Sequence, residues 1–199
     1  MKEIILEILN SPLFKSRLIS INENYPNLKQ ENVIRNAVLE LLNDQFKSDK
    51  SSLKAFAEHP RTKNSRVDLS VINKHDLTTP YLVEFKFQYT NDFKQFLNYK
   101  FFIDNDFQRA VCAKQSDLFI LIVSHWRKPE KHEFDSIYGL TSNLSRFLSL
   151  NENWKGNLNK LFCEYQNVKL DELSITVDEP YSTNYDFFVI SREEAEYLN

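Results

Sequence analysis

Apolar residues recur with a helical period over the first fifty positions. Ile4, Ile5, Ile8 and Leu9 predict a helix over Met1–Leu9, which Ser11 and Pro12 break or restart. Ile34, Ala37, Val38, Leu41 and Leu42 fall at i, i+3, i+4, i+7 and i+8, predicting a longer helix from about Leu28 to Leu42. A polar, basic connector (Lys47 to Ser52) leads to a candidate strand at Leu53–Glu58. The period then changes to two. Val67–Ile72 and Tyr81–Tyr89 predict an antiparallel pair joined by a polar, Thr-rich connection that ends in proline. On the second strand Val83, Phe85, Phe87 and Tyr89 share one face while Glu84, Lys86 and Gln88 share the other; on the first, Val67, Leu69 and Val71 oppose Asp68 and Ser70. Leu118–Val123 is an unbroken apolar run, as expected of a strand buried on both faces at the sheet centre. Asp92–Gln115, Asp135–Leu150 and Trp154–Tyr165 predict helices, and Tyr185–Ile190 a late strand. Ser191 with Glu194 reads as a capping box opening a short terminal helix. The order predicts one α/β domain over residues 1–199, a mixed sheet with helices on both faces.

Composition narrows the function classes. A chain of 199 residues, 42% hydrophobic and 14% aromatic, can build one core without disulfide staples. Its two glycines, Gly139 and Gly156, are too few and too far apart for a phosphate-cradling loop, a dinucleotide fingerprint or a nucleophile elbow. The net charge of -3 disfavours a protein that coats polyanions, although charge is uneven. Lys47 to Arg66 holds six basic residues against two acidic ones, whereas Glu164 to Asn199 holds nine acidic against two basic. Cys112 and Cys163 lack zinc-ligand spacing and read as free thiols in a reducing, cytoplasmic setting. Glu3 and Glu7 interrupt the N-terminal apolar run, so neither a signal peptide nor a membrane segment is expected.

The chemistry-bearing positions are Asp68 and Glu84-Phe85-Lys86. Acid-x-Lys strings occur twice, at Glu84 and at Asp92, but only the first lies on an alternating strand, where i and i+2 project from one face. Only the first also follows a strand with an acid on its polar side. Two neighbouring carboxylates repel each other unless a hard cation lies between them, and a lysine beside them can orient water and offset charge on a phosphoryl group. The arrangement resembles the PD-(D/E)XK nuclease superfamily, whose restriction-endonuclease-like fold has this order of helix, strands, acid-x-Lys strand, helix and buried strand. The resemblance covers about residues 28–123; Val67 stands where the family often has proline. It implies that Asp68 and Glu84 hold Mg²⁺, with Mn²⁺ as a substitute, and that Lys86 manages the nucleophile. A further family glutamate comes from the first core helix. At about 100° per residue Glu31 lies roughly 50° from the centre of the apolar stripe and Glu40 about 130°, which favours Glu31.

Nucleic-acid contacts are expected from Arg61, Lys63 and Arg66, beside His59, in the loop before the Asp68 strand, and from Gln108 on the helix before the buried strand. Arg127, Lys128 and Lys131 form a second basic group, read by default as a solvated loop because Pro129 argues against a helix there. The resulting expectation is a metal-dependent endonuclease acting on double-stranded DNA, of the type II restriction, defence or repair kind, with a homodimer as the usual arrangement for cutting both strands. The alternative is an inactive member of the same fold that binds nucleic acid or protein, docking through its acidic C-terminal segment.

Overall fold

The computed structural model describes residues 1–26, 28–59, 66–90, 116–140, 153–162 and 168–192. Among them are helices α1 (Lys2–Leu9), α2 (Pro12–Asn24), α3 (Glu31–Ser48), α4 (Lys128–Ile137) and α5 (Trp154–Phe162). The strands are β1 (Leu53–Ala57), β2 (Leu69–Asn73), β3 (Asp76–Tyr89), β4 (Leu118–Trp126), β5 (Val168–Val177) and β6 (Thr183–Arg192). They form one mixed sheet in the order β1-β2-β3-β4-β6-β5, with β3 and β4 parallel and every other neighbouring pair antiparallel.

The apolar run at 118–123 lies at the sheet centre, as its composition predicts. Leu118, Ile120 and Ile122 face α1–α3 together with Val83, Phe85, Phe87, Phe187 and Val189. Burying each such side chain contributes about 1.5–3 kcal/mol. Phe119, Leu121 and Val123 point the other way and are equally buried, and on that face Trp154 of α5 meets Phe188 edge to face. Ser11 caps α2 by accepting from the Phe14 amide at 3.1 Å, with Pro12 in the first turn, where its missing amide costs nothing.

Several expectations need correction. α3 starts at Glu31 and runs to Ser48, because Phe46 continues the buried stripe past Leu42 and carries the helix into the first residues of the expected polar connector. Asp68 precedes β2 rather than lying in it, with its carbonyl accepting from the Glu58 amide at 2.9 Å. The Thr-rich connection is largely strand, since β3 begins at Asp76 and only Lys74 and His75 turn; the β2–β3 register slips between Val71 and Asn73, opposite Pro80, which has no amide to pair. Pro129 does not exclude a helix, because it sits in the first turn of α4, which therefore starts at Lys128 instead of Asp135 and ends at Ile137. β5 goes unpredicted in the sequence: Asp171 and Glu172 interrupt its apolar positions and Ser174 and Thr176 separate Leu173, Ile175 and Val177, yet the strand pairs with β6 along its whole length. Ser191 belongs to β6, paired with Lys169 of β5. The helix expected at 92–115, the residues of α4's predicted extension beyond 140, and Glu194 lie outside the described residues.

Candidate active site where β2 leaves β3

The β2–β3 ladder ends at Leu69 opposite Val83, but β3 continues to Tyr89, paired with β4 along its other edge. The amides of Phe85 and Phe87 on the β2 side consequently need partners from elsewhere. Two carboxylates supply them. Asp68 Oδ2 accepts from the Phe85 amide at 2.9 Å and Glu31 Oε2 from the Phe87 amide at 2.7 Å. Charge-assisted bonds of this kind fix both acids beside the Glu84-Phe85-Lys86 stretch. Alternation along β3 places Phe85 and Phe87 in the core with α3, while Glu84 and Lys86 lie half-buried on the opposite face, opposite Phe119 and Leu121 of β4.

Burial pushes the Glu31 carboxyl above its ordinary range; the Phe87 amide and the Lys86 ammonium pull it back, and the Asp68 carboxylate raises it further. Glu31, Lys86 and Asp68 therefore feel one another's charge. Glu40 points outward and pairs with Arg17 at 3.2 Å.

Two further residues join this group that sequence reasoning does not single out. Arg35, one helical turn after Glu31, is only 6% exposed and places Nη1 3.9 Å from Asp68 Oδ1 and 3.8 Å from Glu58 Oε1. Its Nε and Nη2 donate to Asn36 Oδ1 at 3.2 and 3.0 Å. The i, i+4 spacing from Glu31 is the signal that could have found it. Glu58, just after β1, has a left-handed conformation, φ +51°, which is uncommon for a residue other than glycine and concentrates at functional sites.

Of the expected nucleic-acid contacts, Arg66 is exposed and pairs with Glu58 at 3.3 Å; Arg61, Lys63 and Gln108 lie outside the described residues. His59 Nδ1 lies 3.3 Å from Ser70 Oγ. In the second basic group Arg127 is exposed, as expected of a solvated side chain, but Lys131 is not. Lys131 is 1% exposed, pairs with Asp135 one turn on, and is packed among Trp126, Phe134 and Tyr181, while Arg127 reaches Glu130 at 3.7 Å. Among the described residues no three His, Cys, Asp or Glu side chains converge closely enough to hold a metal ion unaided.

A second polar cluster sits further along the Lys86 face of the sheet. Asp186 of β6 receives His125 Nε2 at 3.0 Å, the Ser174 hydroxyl and Lys155 Nζ at 3.5 Å. Burial raises its carboxyl, but these donors outweigh burial and leave it below the ordinary range.

Comparison with family models, curated proteins and solved structures finds no match to this chain.

Proposed function

We propose that the chain is a divalent-metal-dependent nuclease that hydrolyses phosphodiester bonds, with DNA as the substrate, at the point where β2 leaves β3. The observation that carries this reading is the pair of carboxylates, from Asp68 and Glu31, bonded to the two β3 amides that flank Lys86. Residues 37 positions apart, from a helix and a strand entry, are thereby held at one strand edge next to an acid-x-Lys pair. The order α3-β1-β2-β3 followed by β4 agrees, over the described residues, with the order that the PD-(D/E)XK resemblance implies; the helix expected between β3 and β4 lies outside them.

The donor set suits Mg²⁺ or Mn²⁺. All donors are oxygens, and the Glu31 carboxyl, burdened by burial and by Asp68, is one whose ionised form a cation favours. Mg²⁺ commonly takes one or two carboxylates, keeps several waters and completes its shell with substrate phosphate, so a three-carboxylate cage is not required. Asp68 and Glu84 would hold the ion, with Glu31 beside them as a further acidic oxygen donor. Bound there, the ion would supply Lewis-acid polarisation of a phosphoryl oxygen and a more acidic water. Lys86 would donate to the attacking water and offset charge developing on the phosphorus oxygens. Arg66 is the described residue that could reach a backbone phosphate, releasing Glu58 as it does so.

Supercoiled plasmid incubated with Mg²⁺ tests the reading. Wild type should nick it and lose at least about 10²-fold in rate as Glu84→Ala or Lys86→Ala; equal nicking by all three would mean a contaminant. Retention of nucleic acid in excess chelator, with no cleavage in Mg²⁺ or Mn²⁺, would favour the binding-module alternative.

A further inference from the structure

Arg35 stands out because its charge lies where a cation-binding site can least ignore it. The guanidinium is almost wholly buried, its Nε and Nη2 are anchored on Asn36, and Nη1 is aimed between Glu58 and Asp68. Asp68 is thus engaged on both sides: Oδ2 by the Phe85 amide, Oδ1 by Arg35. Glu58 is held beside it by backbone pairing, its amide on the Asp68 carbonyl, in a conformation that costs about 1–3 kcal/mol and persists only where its surroundings impose it.

We propose that Arg35 is a built-in counter-cation of the site, competing with divalent metal for Asp68 and setting how weakly the chain takes metal up. This rests on the nuclease reading above, in which Asp68 is a metal ligand. A fixed positive charge within a few ångströms of a dication repels it, and at a buried position water screens that repulsion poorly. Asp68 does not depend on Arg35 for its orientation, because the Phe85 amide and the pairing of residue 68 with Glu58 remain without it. Removing the guanidinium charge therefore strengthens metal binding instead of disordering the ligand. The consequence for the reaction is a site that takes metal up weakly on its own and more tightly when substrate phosphate contributes.

Mn²⁺ titration of the full chain without nucleic acid, followed by electron paramagnetic resonance of the free ion, tests this without measuring activity. The variants are Arg35→Gln and Arg35→Met; the second suits the buried position if the first folds poorly. Either neutral variant should bind Mn²⁺ about tenfold more tightly than wild type or better. Arg66→Gln, whose side chain is 60% exposed and touches Glu58 from solvent, should shift affinity less than about twofold. Asp68→Asn added to each variant should abolish the tight site. Unchanged or weaker binding in both Arg35 variants overturns the proposal while leaving the nuclease reading intact, provided wild-type binding depends on Asp68. Mn²⁺ binding through Asp68 in the variants but not in wild type would support Arg35 as the occupant and count against an active nuclease. No binding that depends on Asp68 in any of them overturns both.

Discussion

Glu31 and Phe87 lie 56 positions apart, and the carboxylate of the first accepts the amide of the second at 2.7 Å. This bond closes the strand edge that β2 abandons and commits a partly buried acid to the candidate site.

The same placement gives Glu31 a pH signature. Its carboxyl is held above the ordinary range in the fold, chiefly by burial, so the folded chain binds more protons than the unfolded chain between the two values. Stability consequently falls as pH rises from the ordinary carboxylate range through the raised one, and the penalty is fully present above it. Glu31→Gln keeps an oxygen for the Phe87 amide and removes the charge. Its midpoint of thermal unfolding should exceed that of wild type at pH 8 without metal, and the gap should close as the solution is acidified below the ordinary glutamate value. A gap independent of pH would contradict the assignment of the burden to the Glu31 charge.

Asp186 should behave in the opposite sense. Burial raises its carboxyl, but the donors from His125 and Ser174 and the charge of Lys155 bring it below the ordinary aspartate value. Its contribution is present above that value and lost as pH falls through the lowered one. Asp186→Asn should therefore be less stable than wild type at neutral pH, and the two melting temperatures should converge in acid.

Gly139 ends α4 at φ +62°. Its amide bonds to the Ser136 carbonyl at 3.3 Å and the next amide, of Leu140, to the Asp135 carbonyl at 2.7 Å, the paired closure of a Schellman turn. A Cβ at Gly139 meets nothing within 4 Å, so the cost of Gly139→Ala is backbone strain alone, about 1–2 kcal/mol. Gly139→Asn should cost less, since asparagine tolerates the left-handed region. Urea unfolding with an unchanged slope would read both differences.

The sheet centre and the acid-x-Lys strand were legible because each imposes a simple pattern: an unbroken apolar run for β4, and strict alternation for Val83 to Gln88. Glu31 could be chosen over Glu40 by helical geometry alone. β5 was hidden because Asp171, Glu172 and Ser174 sit on a strand that reads as part of an acidic segment, and its pairing with β6 is a long-range fact. Lys131 reads as solvated in the sequence because nothing local announces three aromatic rings from β4, α4 and the turn before β6 gathered around it. Arg35 and Glu58 were missed for a related reason: their meeting depends on where β1 ends, which local periodicity does not fix.

The central claim is that Asp68 and Lys86 serve one hydrolytic site. Single-turnover cleavage of an end-labelled DNA duplex in Mg²⁺, with wild type beside Asp68→Asn and Lys86→Ala, tests it most directly. The account predicts cleavage by wild type that chelator abolishes and that each substitution slows by at least about 10²-fold, with folding intact. Cleavage that survives both substitutions, or a wild type that leaves the duplex whole in Mg²⁺ and Mn²⁺ alike, would contradict it.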